Sequence, residues 1–198
     1  MRYGPGHKEE AKVKILGAAG RGFRRLGFGG VGVDGLAKEA GVTSGAFYGH
    51  FQSKAEAFEA VALAGLVELR EGIETFRSKE GEGWLAKFVD FYMGTKRTCE
   101  LGESCGMQTL TPEVARAGRE TKSAYEAQLL QVVDAVAEGL LTGTLITGTV
   151  MQRRKTAWAI LAMLSGGVTL ARATNDPKVG SQIASAVKNA VLEIAALR

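Results

Sequence analysis

Few residues in this chain could carry covalent or metal chemistry, and they are scattered. There are two histidines and two cysteines in 198 residues. His7 lies in a polar N-terminal arm, His50 lies in a helical stretch, and Cys99 and Cys105 share a segment with neither. No nucleophile–base pair and no His/Cys cluster at metal-ligand spacing emerges, so the residues predict neither an enzyme nor a metal or cofactor site. A thiol-based sensor using Cys99 and Cys105 is an alternative. The neighbouring Glu100 and Glu103 would disfavour a thiolate, and Lys96 and Arg97 would favour one, so an idle or buried pair is the plainer expectation. Gly27-Phe28-Gly29-Gly30-Val31-Gly32 matches G-x-G-x-x-G in letters. It follows a helical pattern rather than a strand, and no acidic residue stands about twenty positions on, so a flexible turn between two helices is the better reading.

The segment Val33 to Lys54, VDGLAKEAGVTSGAFYGHFQSK, is the most informative. Leu36, Ala37 and Ala40 give a short helix an apolar inner face. Gly41 supplies a stop, Thr43 is placed to cap a second short helix, and Val42 and Phe47 would fill the space between them. A turn this short between two helices is the spacing of a helix-turn-helix unit. Thr43, Ser44, Gly45 and Ala46 leave hydroxyls and backbone N–H groups outward with little bulk, which suits close approach to a major groove. Tyr48 and His50 add polar aromatic groups, and Lys54 is a candidate phosphate contact.

The elements needed to position these residues are all helical. Val13, Ile15, Leu16, Ala19, Phe23 and Leu26 predict an amphipathic helix closing near Gly27, with Lys12, Lys14, Arg21, Arg24 and Arg25 among them. Helices are expected at about 33–40, 43–49, 54–77, 84–97, 112–117, 120–141, 151–173 and 178–197. Breaks fall at 79–83, 99–106, 142–148 and 175–177. The chain therefore reads all-α, with neither strand nor repeat.

The block from Phe23 through Gly27-Phe28, Leu36-Ala37, Ala40-Gly41-Val42-Thr43, Gly45, Phe47-Tyr48, His50-Phe51 and Ser53-Lys54 to Phe58 resembles the N-terminal domain of the TetR family of bacterial transcriptional regulators. The resemblance implies a three-helix DNA-binding head over residues 1–53. An effector-binding and dimerising helical bundle would follow over 54–198, with helix 54–77 linking the two. By matching position it implies operator contacts at Thr43, Ser44, Gly45, Ala46, Tyr48 and His50, and a phosphate contact at Lys54. Val31 and Gly32 depart from the family, which often has a Thr or Ser pair opening the second helix. The implied protein is a homodimeric regulator, most simply a repressor that a small-molecule effector releases from a palindromic double-stranded operator. Besides the thiol-responsive alternative, a helical ligand-binding protein without DNA binding stays open.

Charge agrees with a DNA-facing head. Residues 1–58 hold nine Lys/Arg and five Asp/Glu, and the other 140 residues hold sixteen of each, so the whole net +4 lies in the first third. Arg2, Lys8, Lys12, Arg21 and Arg24 or Arg25 are the candidate backbone contacts. Trp84, Phe88, Tyr92, Met107, Gln108, Tyr125 and Trp158 are the candidate effector contacts, although at helical spacing most would simply be core. Trp158–Ala171 and Ile183–Leu197, rich in small residues, suit a four-helix dimer interface. The polar first ten residues carry no apolar signal core, and the longest apolar run is too short to span a bilayer comfortably. A cytoplasmic protein without a membrane partner is expected.

Overall fold

A computed structural model describes residues 5–141 and 148–196 of the chain. The described residues contain helices and turns and no strand. In order they are α1 (Pro5–Gly30), α2 (Val33–Ala40), α3 (Ser44–Tyr48), α4 (Lys54–Glu80), α5 (Trp84–Phe91), α6 (Gly106–Val114), α7 (Arg119–Gly139), α8 (Val150–Arg172) and α9 (Pro177–Ala196). A π-turn at Tyr92–Lys96 extends α5, and short 3-10 turns occupy Gly81–Gly83 and Leu101–Glu103. Apart from Gly148, the break expected at 142–148 lies outside the described residues, as does Leu197.

Two helices differ from the spacing-based expectation. α1 does not stop near Gly27 but breaks there, with φ 71° and ψ 173°, and closes at Gly30. The helix expected at 112–117 starts instead at Gly106 and ends at Val114. Proline favours the first turn of a helix, which made Pro112 look like a start. Here it sits near the end, where its missing N–H forfeits only one bond.

The chain forms two compact units. The first comprises the described residues up to Gly65 together with Glu100–Tyr125, and the second comprises Leu66–Cys99 and the described residues from Glu126 onward. In the first unit, Ile15, Ala19 and Phe23 of α1, Leu36 and Ala37 of α2, Phe47 of α3 and Phe58 and Val61 of α4 are buried. Phe23, Phe28 and Phe58 form an aromatic cluster with centroids 5.3 to 6.1 Å apart. α4 and α6 meet backbone to backbone: a Cβ on Gly106 would lie 2.9 Å from the Cα of Gly65. In the second unit, Trp84, Leu85 and Phe88 of α5, Val132, Val133 and Val136 of α7, Ile160, Leu161 and Leu164 of α8 and Val191 of α9 are buried. Thr149 and Gln152 close a reciprocal capping box at the start of α8.

Candidate nucleic-acid interface

Local sequence sets the geometry of the α2–α3 pair. Gly41 ends α2 in the left-handed region, φ 69°, and its N–H reaches the carbonyls of Ala37 and Lys38, the glycine stop of a helix. Two residues later the Thr43 hydroxyl accepts the Ala46 N–H at 3.1 Å and caps α3. Phe47 is fully buried and Phe51 nearly so, which fastens α3 to the core. Phe47 packs 5.5 Å from Phe51, centroid to centroid.

This arrangement leaves one side of α3 outward. Thr43, Gly45 and Ala46 are exposed, Ser44 and His50 are half-buried, and Tyr48 is 54% exposed. The Ser44 hydroxyl is not idle, because it donates to Asp34 Oδ1 of α2 at 2.5 Å. Lys54, the first residue of α4, has internal partners: its ammonium donates to the carbonyls of Phe28 at 2.6 Å and Val31 at 2.9 Å. It also stands 4.4 Å from the centre of the Phe28 ring, within cation–π range. Two of its three N–H groups thus tie α4 to the end of α1.

The arginines of α1 also have partners inside the unit. Arg21 pairs with Glu39 at 3.0 Å, and Arg25 pairs with Glu39 at 3.1 Å and Glu100 at 2.8 Å. Arg24 donates to the Gly102 carbonyl at 3.3 Å. The Arg25 guanidinium, helped by the Gly102 N–H, holds the exposed Glu100 carboxyl down to about 2, and the same pairing raises Arg25. Lys12 and Lys14 are exposed on α1, whereas Arg2 and the Lys8 side chain lie outside the described residues.

Sequence reading missed the part played by residues 100–114. Besides Glu100 and Gly102, Glu113 accepts the Phe28 N–H at 2.9 Å, just after the break at Gly27. Phe28 is thereby held at its N–H by Glu113 and at its carbonyl by Lys54. No spacing rule links residues 85 positions apart. The one available sign was Gly27, since a glycine-only backbone frees an N–H that must find another acceptor.

The candidate effector residues are divided between the units. Met107, Gln108 and Tyr125 are buried in the first. There the Tyr125 hydroxyl bonds Thr111 at 2.6 Å, and burial raises Tyr125 above the ordinary phenol range. Trp84, Phe88 and Tyr92 are buried in the second, one turn apart along α5 and its π-turn. The Trp84 indole donates to the Gly139 carbonyl at 3.0 Å. Trp158 is 40% exposed and lines an open cavity of about 560 Å³ with Leu130, Val150, Met151, Arg154 and Lys155. Cys105 is buried in the first unit; Cys99 belongs to the second, where its Sγ donates to the Lys96 carbonyl and lies 3.4 Å from Arg172 Nη2. Among the described residues no group of three or more His, Cys, Asp or Glu could hold a metal ion, and no helix is long and apolar enough to cross a membrane.

Residues 15–61 match the family of bacterial regulatory proteins described as the tetR family. No curated protein matches the chain. Among solved structures, the chain is similar to the reduced form of E. coli NemR, with 18% identity, a TM-score of 0.76, and 91% of this chain and 96% of that one covered. It is also similar to a TetR-family transcriptional regulator from Agrobacterium tumefaciens, with 18% identity, a TM-score of 0.74 and coverage of 92% and 98%. The transcriptional regulator FadR from Bacillus subtilis in complex with stearoyl-CoA aligns with 17% identity, a TM-score of 0.66 and coverage of 94% and 99%. At these identities the three establish a shared all-α fold.

Proposed function

We propose, from the match of residues 15–61 to the tetR family of bacterial regulatory proteins, that the protein is a homodimeric, effector-released repressor and not an enzyme. The observation that carries DNA reading is the division of labour on α3. Phe47 anchors the helix inward, and Thr43, Ser44, Gly45, Ala46 and Tyr48 line its other side. With so little bulk there the backbone can approach the major groove, and specificity rests on few side chains and on DNA shape. His50 is half-exposed just beyond α3, and Lys54 opens α4. Selecting duplexes from a random pool with the purified protein tests this, and a palindrome is the expected product because a two-fold dimer presents two heads. Lys54→Ala should weaken selected and random DNA alike and lower the salt slope by about one. Failure to enrich any duplex would favour a helical ligand-binding protein without DNA binding.

For the dimer, α8 offers an outward stripe of Met151, Trp158, Ala162, Gly166 and Leu170, all exposed in the single chain. Small residues in it permit close helix approach, and α9 packs beside α8. A functional boundary at residue 54, with residues 54–198 holding effector and partner, belongs to this same reading. A Cβ on Gly166 meets nothing within 4 Å, so Gly166→Arg should leave the subunit folded and shift sedimentation from dimer to monomer.

The effector is an apolar or amphipathic molecule contacted by some of Trp84, Phe88, Tyr92, Met107, Gln108, Tyr125 and Trp158. FadR, which binds stearoyl-CoA in its solved complex, supports the fold's capacity for such a ligand. Acyl-CoA thioesters of graded length are therefore the first probes, and release of the selected duplex is the readout. A second reading rests on Cys99, because its sulfur lies beside the Arg172 guanidinium, the kind of cationic surrounding in which reactive thiols occur. Release by hydrogen peroxide that disappears in Cys99→Ser, with Cys105→Ser as comparison, would favour it over the acyl ligand.

A further inference from the structure

The contact between Asp34 and Ser44 fixes more than the angle between two helices. A serine hydroxyl has one proton and two lone pairs, and left to rotate it can donate or accept. A carboxylate can only accept. The 2.5 Å contact from Ser44 Oγ to Asp34 Oδ1 therefore commits the only Ser44 side-chain proton, in a charge-assisted bond stronger than one between neutral groups. The neighbouring Thr43 hydroxyl uses a lone pair to cap α3. What Ser44 can still offer from its half-exposed position is a lone pair.

We propose that Asp34 is a specificity-determining residue that holds Ser44 as a hydrogen-bond acceptor, so that the reading helix selects a base whose exocyclic amine faces the major groove. In the major groove the donors are cytosine N4 and adenine N6, whereas guanine offers only O6 and N7 and thymine O4, all acceptors. An unconstrained serine tolerates either kind. Ser44 with its proton turned toward Asp34 would set acceptor against acceptor at guanine or thymine and leave both unsatisfied, which is costlier than a missing contact. Discrimination of about tenfold is expected for one such bond. This inference rests on the DNA-reading function proposed above and adds the chemistry of one base-pair position.

The test uses the full-length protein and the duplex that it selects. Binding is measured for a panel carrying every base substitution in each half-site, for the wild type, Ser44→Ala and Asp34→Asn, with melting temperatures recorded as a folding control. The wild type should prefer cytosine or adenine at one position per half-site by about tenfold, and Ser44→Ala should lose that preference. In Asp34→Asn the amide can donate to Ser44 Oγ and let its proton turn outward, so the preference should collapse or swing toward guanine and thymine. Replacing the preferred base by its analogue lacking the amine should weaken the wild type and leave Ser44→Ala unchanged. The proposal is overturned if Asp34→Asn keeps the wild-type preference, or if it tightens every sequence equally, which would make the carboxylate only a repelling charge. A wild type that enriches no duplex removes the DNA-reading function itself, and the role of Asp34 with it.

Discussion

The two compact units combine directed bonds and ring packing in different proportions. In the first, residues separated by 75 to 85 positions are joined by directed polar bonds: Arg25 to Glu100, Arg24 to the Gly102 carbonyl and Glu113 to the Phe28 N–H. The second has such bonds too, from Arg172 to the Lys96 carbonyl and from Lys188 to Asp90, but it also holds both tryptophans and a longer run of packed rings. Trp84 and Tyr92 are 98% or more buried, and Phe76, Phe88 and Phe91 pack with them at centroid separations of 5.5 to 6.3 Å. Directed bonds fix angles and atoms, which suits a head that must present α3 in one orientation. Ring packing fixes volume. The head should therefore respond to the loss of single atoms and charges, and the bundle to the loss of volume.

The largest effect is expected in the bundle. Trp84→Ala removes a fully buried ring and its bond to the Gly139 carbonyl, and should cost about 3–5 kcal/mol by urea denaturation. A loss under 1 kcal/mol would show that the second unit does not depend on filled volume. In the head, Gly106→Ala sets a methyl group 2.9 Å from the Cα of Gly65. Neither backbone can step aside as a side-chain tip could, so a cost of about 1–3 kcal/mol is expected, with Gly65→Ala behaving alike.

These two glycines show how far the sequence could be read. The turn from α2 to α3 was legible because its determinants are local: Gly41 stops one helix, Thr43 caps the next, and Phe47 faces inward within five residues of the cap. The outward set around Ser44 followed from the same short segment. The start of α6 was not legible, because Gly106 is fixed by Gly65 on another helix, and Pro112 supplied a stronger local signal in the wrong place. Lys54 was read as a phosphate contact, and what sequence did not show is that its ammonium also meets the carbonyls of Phe28 and Val31, which are placed by how α1 ends. Ser44 was read as polar and outward and is half-exposed, but the direction of its proton depends on Asp34, which lies ten positions away on the other helix.

A smaller effect concerns charge. Glu100 is exposed and held down to about 2 from an ordinary value near 4.5, first by its bond with Arg25. A carboxyl depressed in the folded state adds stability that is present above its unfolded value and is lost as pH falls through the folded one. The contribution should fade between pH 4.5 and 2 and shrink with added salt. In Glu100→Gln the melting temperature should fall less steeply across that window than in the wild type. Identical slopes would mean that Arg25 does not hold residues 100–102 through charge.

The smallest effect tests the head at the position where its directed bonding is incomplete. Gly32 caps α2 without any side-chain hydrogen bond, at φ −90° and ψ 165°, and a Cβ there would touch nothing within 4 Å. Those angles are open to every residue, so glycine is not required. Gly27 differs: its φ of 71° with ψ 173° belongs to a region essentially confined to glycine, and a Cβ would come within 2.5 Å of Glu113 Oε1. Gly32→Ser should accordingly gain a few tenths of a kcal/mol by capping α2, with a further gain from restricting the unfolded chain. Gly27→Ser should destabilise. If the added hydroxyl also lies toward DNA, Gly32→Ser will tighten selected and random duplexes by the same factor, because a phosphate contact carries no sequence information. A gain in stability with unchanged DNA affinity would confine Gly32 to the fold. A loss of stability would show that the open backbone at Gly32 serves the head as it stands and that its missing cap is no defect.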